Sequence, residues 1–185
     1  IRDMITSSLE KIIQEQNRLN ELVEKILLVS TIDEMHNDMH LKPISIHLLI
    51  DQIIENTSNS HKLINSVPKD LIVNGDDFYF ISLFQNLLDN AQKYSPDGSE
   101  INFYLKENPI KNIICISDQG IGISDKEKSK IFDRFYRIED EETRNSKGTG
   151  LGLFLVNQII KIHGGKIYCK DNSPNGAIFE IHLKK

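Results

Sequence analysis

The chain has 185 residues, a formal net charge of −5 and a hydrophobic fraction of 39%. An acidic balance argues against a general nucleic-acid binder or a protein that binds anionic membranes, because both need a basic face. No apolar run approaches the ~20 residues that cross a bilayer, and no signal-peptide pattern is present. The chain begins at Ile1 without a methionine, so we expect a fragment of a longer protein.

Residues 1–35 carry the periodicity of one long helix. Apolar residues recur every three or four positions with one polar interruption, and charged residues flank them. With neither Pro nor Gly, this stretch predicts a helix of roughly 50 Å at 1.5 Å per residue. Such a helix cannot bury its own apolar side, so it needs partner helices from missing sequence or from a second copy of the chain. This apolar seam consists of Leu9, Ile12, Gln16, Leu19, Val23 and Ile26.

The rest of the chain alternates between helical and strand periods. Residues 36–43 are polar and predict a linker or hinge. Helices are predicted at 46–56, 76–94 and 151–163. Strands are predicted at 62–67, 71–73, 100–107, 112–118, 165–171 and 177–183. Cys115 and Cys169 lie in two of these strands, which favours buried thiols in a reducing compartment over a disulfide or a metal site. The order predicts an α+β fold, with a mostly antiparallel sheet and about three helices over one face.

The second predicted helix carries a polar cluster in the segment NLLDNAQKYS, residues 86–95. At helical spacing Asn86, Asn90 and Lys93 share one face, while Leu87 and Leu88 can point into a core. Amides that can coordinate a hard cation, beside one Lys, suit a metal–phosphate site. An ordinary amphipathic helix is the alternative that this segment alone leaves open.

Three further motifs follow in order. DQGIG at residues 118–122 comes directly after a strand, where glycines let the backbone approach a flat ligand and the acid can accept a hydrogen bond from an amino group. FDRFYR occupies residues 132–137 within a long Gly- and Ser-rich connection, which is typical of a binding loop. GTGLGL at residues 148–153 opens a helix, where free backbone N–H groups form an anion site. Neither a P-loop nor a dinucleotide GxGxxG motif is present.

In order and spacing these four segments resemble the N box, first glycine box, F box and second glycine box of sensor histidine kinases. Residues 40–185 resemble their ATP-binding catalytic domain, and residues 1–39 resemble the second helix of their dimerisation and phosphoacceptor hairpin with its linker. The resemblance implies a two-layer α/β sandwich of the Bergerat type, shared with gyrase, mismatch-repair and heat-shock ATPases, preceded by a coiled-coil-like helix. It further implies ATP and Mg²⁺ as cofactors, a homodimer and a response-regulator partner.

The resemblance also implies roles for individual residues. Asn90, assisted by Asn86, would coordinate Mg²⁺ between the ATP phosphates, and Lys93 would contact phosphate. Asp118 would bind the adenine amino group in a pocket lined by Tyr94. Gly120 and Gly122 would shape that pocket.

Residues 123–147 would form a lid over the nucleotide, with Arg137, Arg144 or Lys147 as candidate phosphate contacts. We expect this lid to be the least protected segment without nucleotide, since few apolar residues hold it. Phe132 and Phe135 are expected to anchor one edge of it. The phosphates would be cradled by Gly148, Thr149, Gly150, Leu151 and Gly152.

One family feature is missing, and two alternatives remain open. The phosphoacceptor histidine would lie upstream of Ile1, so this fragment is expected to bind ATP without phosphorylating itself. The catalytic portion is expected to be cytoplasmic, reaching a membrane only through upstream segments.

The first alternative is hydrolysis, but related ATPases place a Glu where this chain has Asn86, and an amide is a poor general base. The second is a catalytically inactive domain that serves as a partner-binding module.

The remaining histidines receive no catalytic role. His36 and His40 have HExxH spacing, but Asn37 replaces the Glu and no third ligand is evident, so a zinc site is not expected. His163 precedes Gly164 and Gly165, where a helix-end role is expected.

Overall fold

The computed structural model describes residues 2–32, 40–57, 60–138 and 149–185. Four α-helices are present in this part of the chain, α1 (Arg2–Ile32), α2 (Ile46–Glu55), α3 (Asp77–Tyr94) and α4 (Gly152–Ile162), together with a short 3₁₀ helix at Lys130–Phe132. Seven strands accompany them: β1 (Lys42–Ser45), β2 (Lys62–Ser66), β3 (Ile72–Gly75), β4 (Glu100–Lys106), β5 (Lys111–Ser117), β6 (Lys166–Asp171) and β7 (Ala177–Lys184).

Five strands form one sheet in the order β2-β4-β5-β7-β6. The β2–β4 pair is parallel and the other three pairs are antiparallel. The parallel pair follows from the chain path, since β3 and α3 lie between the two strands and a parallel connection needs such a crossover. The predicted mostly antiparallel sheet is confirmed.

Helices α2, α3 and α4 bury their apolar faces in one core with the sheet. Ser45 and Asp76 cap α2 and α3, each accepting a hydrogen bond from a backbone N–H of the first turn. Leu83, Leu87 and Leu88 are at most 1% exposed, as their helical spacing predicts. The two-layer α+β arrangement predicted from the sequence is therefore present.

The prediction of a linker through Pro43 is wrong for its last residues. Strand β1 pairs antiparallel with β3 in a small separate sheet, with Pro43 opposite Asn74. Only Ile44 of the four residues is buried, so the strand lacks an alternating apolar pattern. Proline is tolerated because β1 is an edge strand.

Helix α1 is continuous, as predicted. Most apolar residues of its seam are exposed, with Leu9, Ile12, Leu19 and Val23 each more than half exposed. Near its end, Leu28 packs against the core of the domain. No helix in the described ranges is both long enough and apolar enough to cross a membrane.

Both cysteines are buried thiols without a disulfide, as predicted. Cys115 lies on the sheet face opposite the core, where a salt bridge of 2.7 Å between Lys106 and Glu180 joins the flanking strands. Burial raises the pKa of Cys115 to about 11 and that of Cys169 to about 12.

His163 connects the end of α4 to the start of α3. Its Nδ1–H donates to the carbonyl of Ile159 at 2.7 Å, and its Nε2 accepts from the backbone N–H of Asp76 at 3.2 Å. The ring packs against Phe80 with centroids 4.6 Å apart. Burial lowers the pKa of His163, which keeps the imidazole in the neutral form that Asp76 requires. The expected helix-end role is consistent with these contacts.

Candidate functional site

Asp118 follows β5 directly and is 6% exposed. Its Oδ1 accepts hydrogen bonds from the backbone N–H groups of Gly120 at 2.9 Å and Ala177 at 3.1 Å. Burial raises the pKa of this carboxyl, and the two N–H donors offset part of the rise because they favour the ionised form. Oδ2 makes no hydrogen bond with any described residue, so it is available to accept one from a ligand.

The loop after Asp118 is fitted closely against the end of α3. The backbone N–H of Ile121 donates to the carbonyl of Tyr94 at 3.3 Å. A methyl group at Gly120 would come within 2.4 Å of that carbonyl oxygen, so only glycine fits. The backbone of Tyr94 and the first glycine box therefore lie side by side.

The start of α4 faces the polar cluster of α3. A methyl group at Gly152 would lie 3.0 Å from Oδ1 of Asn86 and 3.9 Å from Nδ2 of Asn90. The buried Asn86 donates its Nδ2 to the carbonyl of Ser82 at 2.7 Å, which leaves Oδ1 facing α4. The first N–H groups of a helix have no intrahelical partner, so the amide oxygen of Asn86 and the amide nitrogen of Asn90 lie beside the backbone donors of the α4 terminus. This arrangement can hold a cation together with an anion.

Gly150 brings the F box against the second glycine box. Its carbonyl accepts from the backbone N–H of Phe135 at 3.0 Å, and Gly150 itself has φ of +69°. A methyl group on Gly150 would lie 2.6 Å from the carbonyl carbon of Phe135. Phe135 also has a positive φ of 64°, which is strained for a residue with a side chain. The two motifs therefore depend on each other's backbone geometry.

The described part of the predicted lid, which we call the lid root (residues 123–138), is packed on the body of the domain. Ile131 is buried, and the ring of Phe132 packs edge-on against Phe179. Lys128 forms 2.6 Å salt bridges with both Asp125 and Asp171, and hydrogen bonds to these two carboxylates raise its pKa above the ordinary value for lysine. The expectation that few apolar residues hold the lid is wrong for this half, because aromatic and branched residues at 131, 132, 136 and 138 contact the core.

The remaining predicted site residues differ in their exposure and in the contacts that they make. Lys93 is exposed and lies 4.7 Å from the ring centroid of Tyr94. Oγ1 of Thr149 accepts from the backbone N–H of Leu151 at 3.3 Å, and Leu151 is fully buried.

Phe135 is 56% exposed, so Phe132 alone of the two predicted anchors packs on the core. Gly122 has φ of +73°, and Arg137 is exposed at the end of the lid root. Arg144, Lys147 and Gly148 lie outside the described residues.

Sequence reasoning missed the turn between β6 and β7. Nδ2 of Asn172 donates to the backbone carbonyl of Asp118 at 2.7 Å, and Ala177 supplies one of the two donors to the Asp118 carboxylate. A methyl group at Gly176 would come within 2.0 Å of the Asp118 carbonyl oxygen. The Asn175-Gly176 pair is a turn signal, but nothing local indicates contact with a residue more than 50 positions earlier.

The profile of the family described as histidine kinase-, DNA gyrase B- and HSP90-like ATPases matches residues 75–185. The matched region begins at the last residue of β3 and contains all four motifs. The chain belongs to this ATPase family.

Among the ATPases of this family, the chain is similar to sensor histidine kinases. It is 34% identical over 176 residues to the sensor protein kinase WalK of Staphylococcus aureus, covering 92% of this chain and 42% of that protein. The mycobacterial sensor histidine kinase MprB has 30% identity and a TM-score of 0.68, over 78% of this chain and 97% of that structure. The catalytic domain of histidine kinase ThkA has 25% identity and a TM-score of 0.67, over 80% and 99%. The chain thus spans less than half of the WalK sequence.

The donor set of the site fits Mg²⁺ only together with a phosphate ligand. In the described part of the chain, no group of three or more His, Cys, Asp or Glu side chains could hold a metal ion. Asn86 and Asn90 offer amide oxygens, whereas Mg²⁺ usually keeps several waters and takes the rest of its ligands from carboxylates and phosphates. The ion would therefore arrive with the nucleotide.

Proposed function

We propose that this chain is the ATP-binding and catalytic part of a sensor histidine kinase, which transfers the γ-phosphoryl group of ATP to a histidine for relay to a response-regulator aspartate. Residues 40–185 form the ATP-binding domain, and residues 1–39 belong to the dimerisation hairpin and its linker. The proposal implies a cytoplasmic location, because its substrate is ATP.

The proposed roles follow the two ends of the site. Oδ2 of Asp118 accepts a hydrogen bond from the adenine amino group, while Tyr94, Gly120 and Gly122 shape the pocket around the base. Asn90 and Asn86 hold Mg²⁺, which neutralises phosphate charge when bound. The phosphates lie at the α4 terminus and accept from backbone N–H groups of Gly150, Leu151 and Gly152, with the Leu151 N–H exchanging its Thr149 partner for phosphate.

Lys93 approaches the phosphates from the exposed edge of α3, and its point charge suits an anion there. Arg137 approaches from the end of the lid root. The remaining proposed contacts with the phosphates are Lys147, Gly148 and Thr149.

The observation that carries phosphoryl transfer over hydrolysis is the identity of residue 86. Asn86 is buried one helical turn before Asn90 and faces the start of α4. A hydrolase needs a general base here to activate water, and an amide cannot accept a proton at neutral pH. Transfer to a histidine needs no such base, because neutral imidazole is already a nucleophile and its placement limits the reaction.

Calorimetry with a non-hydrolysable ATP analogue tests the binding step. We expect Mg²⁺-dependent binding with a Kd on the order of 10–100 µM, since loop ordering consumes part of the interaction energy. Asn90→Ala should weaken binding about 10–100-fold, as losses at metal sites do. Asn175→Ala, an exposed amide outside the site, is the matched control. No measurable binding by the wild type would favour the partner-binding module.

A pair of variants tests the choice between transfer and hydrolysis. Asn86→Glu installs the missing base, whereas Asn86→Gln adds the same length without an acid. Phosphate release from Mg²⁺-ATP should be negligible for the wild type and Asn86→Gln and should rise only for Asn86→Glu. Rapid hydrolysis by the wild type would contradict a kinase role for this site.

We further propose that α1 pairs with α1 of a second copy through its seam. The exposed Leu9, Ile12, Leu19 and Val23 support this, because such apolar positions are ordinarily covered. Sedimentation equilibrium should give a dimer that Leu19→Lys dissociates, and a monomeric wild type would contradict it.

A further inference from the structure

The backbone of Asp118 is fixed by a turn that lies far from it in sequence. Nδ2 of Asn172 donates to the Asp118 carbonyl at 2.7 Å, and the Asp118 N–H donates to the carbonyl of Ala177 at 3.0 Å. The carboxylate accepts from the N–H of the same Ala177. The side chain of Asn172 in the turn and the backbone of Ala177 at the start of β7 therefore hold both peptide groups and the side chain of Asp118.

The packing between the two segments leaves no room for Asp118 to move toward the turn. A methyl group at Gly176 would meet the Asp118 carbonyl oxygen at 2.0 Å, and one at Gly122 would meet the Gly176 carbonyl at 3.3 Å. Asn172 also closes its own turn, because its N–H donates to the Gly176 carbonyl at 3.0 Å and its Oδ1 accepts from Ser173 at 3.0 Å. The amide group of Asn172 thus joins the closed turn to Asp118.

We propose that Asn172 is a positioning residue for adenine recognition: its amide fixes the peptide group of Asp118 so that Oδ2 faces the amino group of the base. This inference rests on the proposed function, since it assumes that Asp118 binds adenine. Asn172 does not touch the nucleotide, and its effect passes through the Asp118 backbone.

The geometry explains why one hydrogen bond matters here. Asp118 lies at the end of β5, so the regular ladder no longer restrains the residues that follow it. A hydrogen bond to a base needs good distance and angle, and it weakens steeply when either is lost. Without the Asn172 donor, the Asp118 carbonyl lacks its side-chain partner, and rotation of this peptide group displaces the Gly120 N–H that holds Oδ1, so that Oδ2 turns away from the base.

The test compares ATP with inosine triphosphate (ITP), whose base has a carbonyl in place of the amino group and an N1–H in place of the N1 acceptor. The ratio of the two Kd values, measured by calorimetry with Mg²⁺, reports contacts with this edge of the base and leaves the phosphate contacts out, and the change in the ratio between variants reports the Asp118 contact. We expect the wild type to prefer ATP, and Asn172→Ala to lower this preference about three- to tenfold, the value of one hydrogen bond. Affinity for ITP should change little.

Two further variants complete the design. Asn172→Asp keeps a residue that turns favour but replaces the donor with an acceptor, so it should lower the ATP preference even if Asn172→Ala folds poorly. Asn175→Ala removes an exposed amide of the same turn and should keep the full preference.

The outcomes separate the two claims. A wild type that binds neither nucleotide, or binds both equally, contradicts the proposed role of Asp118. A wild type that prefers ATP while both Asn172 variants keep that preference overturns the positioning role alone. Equal loss of ATP and ITP affinity also overturns it, because that result describes a general structural effect.

Discussion

The two ends of the site are built by different means. At the proposed base end, Asp118 continues the sheet, and Asn172 of the β6–β7 turn and Ala177 of β7 hold it with three hydrogen bonds. At the phosphate end, the start of α4 meets Asn86 and Phe135 through close approaches at Gly152 and Gly150. The proposed base end is therefore held by hydrogen bonds within the described chain, whereas at the proposed phosphate end the Leu151 N–H donates to Thr149 Oγ1, a hydrogen bond that a ligand would replace. Selectivity for the base can thus be preformed, while phosphate binding depends on the ligand.

The largest effect should come from breaking the base end with Gly176→Ala. The new methyl group would overlap the Asp118 carbonyl, so we expect a loss of about 2–5 kcal/mol in unfolding free energy. Gly98→Ala is the control, because Gly98 also has positive φ but no atom lies within 4 Å of the added methyl group. It should cost about 1–2 kcal/mol. Urea denaturation measures both, and equal losses would show that Gly176 contributes only its φ angle.

The phosphate end can be broken separately with Gly150→Ala. Gly150 and Gly164 share a φ of +69°, but only Gly150 has a neighbour, the Phe135 backbone, close to the added methyl group. Gly150→Ala should therefore lose about 1–3 kcal/mol more stability than Gly164→Ala. It should also weaken ATP binding while leaving the ATP-over-ITP ratio unchanged. A change in that ratio would mean that the two ends are not independent.

A smaller steric change at the phosphate end tests the contact between α4 and Asn86. Gly152→Ala brings a methyl group 3.0 Å from Asn86 Oδ1 without touching backbone. We expect stability to change by no more than about 0.5 kcal/mol and Mg²⁺-ATP affinity to fall about two- to fivefold. In an Asn86→Ala background the same substitution should have no effect, which a double-mutant cycle measures. A full effect in that background would assign the loss to another neighbour.

The last prediction concerns the loss of unfolding free energy at acidic pH. Because the pKa of His163 is lowered on folding, its contribution is present above its ordinary value of 6.5 and is lost as pH falls through the lowered pKa. Protonated His163 would point a donor at the Asp76 N–H. Between pH 7.5 and 5.5 the wild type should lose more stability than His163→Gln, by less than about 1 kcal/mol. An equal loss of unfolding free energy in the two proteins, measured by urea denaturation at both pH values, would contradict this. Because His163 joins α3 to α4, its protonation should weaken the binding of phosphate and leave the ATP-over-ITP ratio unchanged.

Sequence reasoning found the parts of the site that are local. The helix face of Asn86 and Asn90, the glycines before α4 and the acid after β5 each follow from spacing within a few residues. It missed β1 and the support from Asn172 and Gly176, because both depend on pairing across long stretches of chain. It predicted Phe132 as an anchor of the lid, but it missed the core contacts of Ile131, Tyr136 and Ile138, which depend on the packing of this segment against distant elements.

The buried thiols make this chain convenient for labelling. Thiolate is the species that reacts with maleimides, and with pKa values of about 11 and 12 Cys115 and Cys169 supply little of it at neutral pH. A single cysteine placed at an exposed position such as Arg134 would carry a fluorophore without removal of either native residue. Movement around the F box during nucleotide binding can then be followed by fluorescence in the otherwise unaltered chain.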